Sequence, residues 1–130
     1  MTVGQLIPTL EEQEHALKLY CQDVLVGEEL GVRYYFLTNL RLPAKCIPAT
    51  CDALLCSTTH ASGYPSRLFF NQKITSPFDR NWNYTGRILE KNWQAFSFIV
   101  EPNGLSLGEI LSAHLTGWCN QHDPRNETDS

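Results

Sequence analysis

The sequence predicts an α+β fold: an N-terminal amphipathic helix, an antiparallel β-meander, an irregular segment and a C-terminal helix, with the helices covering a sheet. Three observations carry this expectation. Capping-box sequences open a helical stretch at each end, Thr9 with Glu12 and Ser106 with Glu109. Three short runs between them are rich in aromatic, β-branched and other apolar residues and are joined by short connections. The stretch 81–89, Asn-Trp-Asn-Tyr-Thr-Gly-Arg-Ile-Leu, is irregular, with Asn, Gly and polar residues of the kind that carry function on a rigid scaffold.

The first helix is expected to carry Leu10, Leu17, Tyr20, Cys21 and Val24 on one apolar face and to end before Gly27 and Gly31, with His15 on its solvated side. Residues 32–38 read as a strand, which Leu40-Arg41-Leu42-Pro43 extends towards a sheet edge because Pro43 has no N–H to donate. Residues 51–57 are nearly continuous in apolar side chains and read as a central strand; residues 67–71 read as a third. Short connections make these three an antiparallel meander. Residues 94–100 read as a short strand or extended segment, and Pro102-Asn103-Gly104 as a turn. The last helix places Leu107, Ile110, Leu111, His114, Leu115 and Trp118 on one stripe, His114 as a core histidine. Leu54, Leu55, Leu68, Phe70, Leu111 and Leu115 are expected in one core.

At 130 residues, with 42% apolar and 18% charged residues, the chain reads as one globular domain over residues 1–119 with a polar, frayed tail at 120–130. A net charge of −4 does not favour a nucleic-acid partner. No apolar run approaches the roughly 18 residues of a membrane span. The first five residues lack the basic and apolar blocks of an export signal, so a cytoplasmic location is expected and no membrane partner. Five cysteines are an odd number for a disulfide framework, and the five-residue spacing of Cys46, Cys51 and Cys56 lacks the Cys-x2–4-Cys pairing of zinc ligands. No metal and no cofactor is expected.

The order of elements and motifs resembles the ubiquitin-conjugating-enzyme (UBC-like) fold. Tyr64-Pro65 is similar to that family's Tyr-Pro; Asn81 to the Asn of its His-Pro-Asn, with Asp79 and Arg80 in place of His and Pro. Gly86-Arg87-Ile88 is similar to the start of its Gly-x-Ile-Cys-Leu, Trp93 to its following tryptophan, and the helix from Ser106 to its crossing helix. The chain also resembles the bacterial branch found in ubiquitin-like operons, prokaryotic family E, in Leu40-Arg41-Leu42-Pro43, in Gly86-Arg87 and in Trp93-Gln94-Ala95-Phe96-Ser97. The resemblance implies a ubiquitin-like protein and its activating enzyme as partners. It implies Tyr64, Pro65, Gly86, Trp93 and Gln94 as binding residues.

Thioester transfer needs a thiolate, an oxyanion donor and a base for the amine. Asn81 is the candidate donor, but Leu89 stands where the family places its cysteine. Ser97 and Cys119 are the other candidate catalytic residues. Three readings stay open: a silent variant that binds modifier or activating enzyme, an active conjugating enzyme with an unorthodox nucleophile, and an unrelated α+β interaction domain.

Overall fold

A computed structural model describes residues 7–8, 12–60, 63–77 and 80–118. They form an antiparallel seven-stranded sheet in the order β1-β2-β3-β4-β5-β7-β6, accompanied by two short helices. The strands are β1 (Ile7–Pro8), β2 (Asp23–Glu29), β3 (Val32–Arg41), β4 (Thr50–Cys56), β5 (Arg67–Phe70), β6 (Trp82–Ile88) and β7 (Lys91–Phe96). The helices are α1 (Glu12–Ala16), followed by a 3-10 turn at Leu17–Leu19, and α2 (Leu107–Leu115).

This overturns the α+β, UBC-like expectation: the chain is predominantly sheet. The N-terminal helix is five residues long. Leu17, Cys21 and Val24 satisfy a helical period, but Val24 and Val26 also alternate, and the alternation wins because a hairpin partner lies next door. Asp23–Glu29 pairs residue for residue with β3, Asp23 opposite Thr38 through Glu29 opposite Val32. Thr9, Leu10 and Glu11 lie outside the described residues, as do Cys119 and the 120–130 tail.

The irregular active-site-like segment is the second correction. Residues 82–88 are strand β6, paired with β7 from Ile88 opposite Lys91 to Trp82 opposite Phe96. The signal was period two: Asn83, Thr85 and Arg87 are exposed, whereas Trp82, Tyr84 and Gly86 are half-buried and Ile88 is buried. Asn and Gly, depleted in most strands, are tolerated on this outer one.

Strands β3, β4 and β5 occur where strands were expected and pair antiparallel in sequence order. Their faces separate the expected core. Leu55, Leu68 and Phe70 pack with Leu17, Leu111 and Leu115 beneath the helices. Leu54 points the other way, into a second cluster with Phe36, Phe69, Leu89 and Trp93, because successive strand side chains face opposite sides. The capping box at α2 forms on both sides, Glu109 N–H to Ser106 Oγ and Ser106 N–H to Glu109 Oε1.

The second cluster is covered by the sheet itself. β3 and β7 are three strands apart, about 14 Å in a flat sheet, yet the Phe36 and Trp93 rings lie 5.8 Å apart, edge to face. The β5–β7 junction permits this curl, since only Phe70 and Gln94 are in register there. The β6–β7 hairpin folds over and is pinned to β2 by Leu89 N–H to Glu29 Oε1, at 2.9 Å, while Trp93 Nε1–H to Ile88 O, at 3.0 Å, fixes the indole within the hairpin.

Both two-residue hairpin turns have positive φ at each position: Leu30 at 52° and Gly31 at 79°, Leu89 at 52° and Glu90 at 65°. This is the turn whose twist matches the flanking strands, and it favours Asn and Gly. Leu89 occupies it because its side chain is buried in the second cluster, whereas Glu90 is exposed. The two positions should therefore respond oppositely to glycine. Glu90→Gly should raise stability by about 1 kcal/mol by relieving the left-handed backbone. Leu89→Gly should lower it by about 1–3 kcal/mol, because the lost burial exceeds that relief. Urea midpoints of the two variants test this; two shifts of the same sign would refute it.

Candidate functional site

The residues expected in the site fall into two places. Asn81 lies just before β6 and Leu89 just after it, eight residues apart along an extended strand, about 25 Å. Asn81 is exposed and its carbonyl accepts Ser97 N–H at 2.7 Å. Leu89 is 3% exposed in its turn. The donor and nucleophile positions of a conjugating-enzyme loop are therefore not assembled.

Tyr64 and Ser97, in contrast, meet. The Tyr64 hydroxyl donates to Ser97 Oγ at 3.0 Å and accepts from Asn83 Nδ2 at 2.8 Å. Asn83 Oδ1 in turn accepts from Arg67 Nη2. The guanidinium of Arg67 is buried, 3.8 Å above the Tyr64 ring and 5.6 Å from the Tyr84 ring. Arginine suits this place because its planar cation stacks on aromatic faces and is less strongly hydrated than an ammonium. Tyr84 also packs edge to face on His60 and Phe69. Gly86 makes room for it: a Cβ there would lie 2.3 Å from the Tyr84 hydroxyl. Trp93 is buried opposite Gly86, Gln94 half-buried opposite Thr85, and Pro65 lines a shallow groove of about 510 Å³ with residues 57–59 and 101–104.

Sequence reading missed Arg67 and held Asn83 and Tyr84 only as part of the 81–89 stretch, not as site residues. The available signals were an arginine at the head of the apolar run Leu68-Phe69-Phe70 and the alternation along β6.

A second polar pair, Ser66 and His114, has the composition of a nucleophile and its base. His114 Nε2 lies 2.9 Å from Ser66 Oγ. The serine hydroxyl gives its one proton to Val100 O at 2.6 Å, which leaves the imidazole as the donor to serine. Ser66 is wholly buried and His114 nearly so. The pair ties α2 to the β5 side of the sheet; it is not placed to attack a substrate. Burial, then the nearby Arg67 charge, holds the His114 pKa down at about 3, and burial lowers that of His60.

The described thiols are buried as well. Burial raises Cys21 to about 11 and Cys51 to about 12, and Cys56 also moves upward. Such thiols are poor nucleophiles, since the thiolate is the reactive form. Among the described residues no cluster of three or more His, Cys, Asp or Glu is placed to hold a metal ion, and no helix is long and apolar enough to cross a membrane.

The accessible polar feature is the free edge of β6. Ile88 opposite Lys91 closes a two-residue hairpin, so Ile88, Gly86 and Tyr84 bond to β7 while the N–H and C=O of Thr85 and Arg87 point outward. Among the described residues nothing bonds to those outward groups. The register shifts between Trp82 and Tyr84, which leaves Asn83 as a bulge that turns its carboxamide towards Arg67 and Tyr64. The opposite edge differs: β1 is two residues long, and one of them, Pro8, has no N–H to offer.

Compared with protein-family models, curated proteins and solved structures, the chain finds no match in any of the three. Its function therefore has to be read from these residues.

The buried histidine sets a pH dependence. The folded pKa of His114 lies below the unfolded value near 6.5, so the unfolded chain binds the proton first. Its contribution to stability is complete above about pH 6.5 and is lost as pH falls from there towards about 3, at up to about 1.4 kcal/mol per pH unit. Urea midpoints from about pH 7 to about pH 4 should fall, and His114→Gln should show a shallower slope. An unchanged slope would mean that His114 is accessible and protonated in the fold.

Proposed function

We propose that this chain is a non-catalytic binding domain that engages a partner protein along the open edge of β6. The observation that carries the reading is the outward-facing N–H and C=O groups of Thr85 and Arg87, unbonded among the described residues, on a seven-residue outer strand. Such an edge is a template for an added strand, and natural proteins usually blunt it with Pro, Lys or very short strands. β1 is blunted by both its length and Pro8; β6 has neither a Pro nor a Lys, and carries only Arg87 and the Asn83 bulge near one end.

The chemistry of the interior argues in the same direction. Ser97 and Ser66 are buried and hydrogen-bonded, and burial keeps Cys21, Cys51 and Cys56 protonated. A nucleophile needs the opposite surroundings, exposed and beside a base or a positive charge. The motif order that implied a ubiquitin-like modifier and an activating enzyme came with a fold the chain does not adopt. The proposal is therefore built on the sheet edge, and of the three readings it retains the interaction domain.

Amide hydrogen exchange tests the edge directly. The amides of Tyr84, Gly86 and Ile88 should be protected by β7, and those of Thr85 and Arg87 should exchange as solvent-exposed groups. Equal protection at all five positions would mean that the edge is already covered, and the proposal would fall.

A further inference from the structure

The occupant of the β6 edge is, we propose, an extended segment of a different protein that carries a carboxylate opposite Arg87. This rests on the reading of the edge as a contact surface and adds the chemistry of what lies on it.

Length is set by the strand itself. The bulge at Asn83 interrupts the ladder, and its side chain is held by Arg67 and Tyr64. An added strand therefore pairs along residues 84–88, exchanging bonds with Thr85 and Arg87. Charge sets the side chain. Residues 80–91 hold three cations, Arg80, Arg87 and Lys91, against one acid, Glu90, in a chain whose net charge is −4. Within β6 the single charged residue is Arg87, exposed and on an outward-bonding position. A residue directly opposite it on an added strand lies within cross-strand contact, and opposite charges there are favourable while like charges are not.

The same charge argues against a second copy as the occupant. Antiparallel self-pairing centred on Arg87 sets two cations against each other, and centred on Gly86 it sets Arg87 against Thr85. Neither register brings a carboxylate, because β6 contains none.

The experiment is a selection from a displayed library of randomised nine-residue peptides on the full chain, repeated on the Arg87→Glu and Thr85→Pro variants. Arg87 is exposed, and Thr85→Pro removes an outward N–H that β7 does not use, so both variants should fold; thermal unfolding checks this. Peptides selected on the natural chain should carry Asp or Glu at one fixed position. Neutralising that residue should weaken binding about two- to fivefold. On Arg87→Glu the preference at that position should reverse to Lys or Arg, and neither set should bind Thr85→Pro.

Selected peptides that bind poorly to Thr85→Pro but show no charge preference tracking residue 87 would overturn the acidic partner and leave the edge in place. Peptides that bind Thr85→Pro equally well, or no selected peptides at all, would overturn both. A concentration-dependent dimer in sedimentation, dissociated by Thr85→Pro, would make a second copy the occupant and overturn the inference.

Discussion

The fold of the β6–β7 hairpin over the sheet is the constraint from which the rest follows. The join between β5 and β7 is a single registered pair, Phe70 with Gln94, and a join that narrow bends where a continuous ladder would resist. Bending brings Trp93 onto Phe36 and seats Leu89 in the second cluster. That contact buries a face which the helices, both on the other side, leave open. The strained backbone at Leu89 persists because the leucine side chain and the Glu29 carboxylate hold the turn from two directions.

Polar groups drawn inside by this closure bond to one another. Tyr64, Ser97, Asn83 and Arg67 form one chain of hydrogen bonds, and the tyrosine rings flank the guanidinium. Ser66 and His114 do the same between β5 and α2. A serine that has given its proton to a carbonyl and a histidine kept neutral to low pH are structural fasteners. The hairpin that closes the core is also the hairpin that carries the free edge, so closing the core and presenting a surface are the work of one element.

Much of the middle of the chain was legible in the sequence. Residues 51–57 and 67–71 are apolar enough on both faces to announce buried strands, and β4 and β5 lie there with neighbours on both sides. The α2 capping box and apolar stripe were equally plain, because helix ends are decided by a few local bonds. Reading β2 as helix failed because Leu17, Cys21 and Val24 fit both periods, and only pairing with β3 selects one. Reading 81–89 as a loop failed because Asn83, Thr85, Gly86 and Arg87 have weak strand propensity or little apolar surface. On an outer strand that composition is no obstacle.

By itself the sequence determined where the chain could be buried: which runs are apolar and where α2 begins. Tertiary structure alone decided which sheet face each of those residues joins, and that β6 pairs with β7 at the margin instead of looping across an active site. The physical reason is that a strand has no partner within itself. Its hydrogen bonds go to residues distant along the chain, so a local pattern can mark an extended segment but cannot say which neighbour it finds or which edge it leaves open.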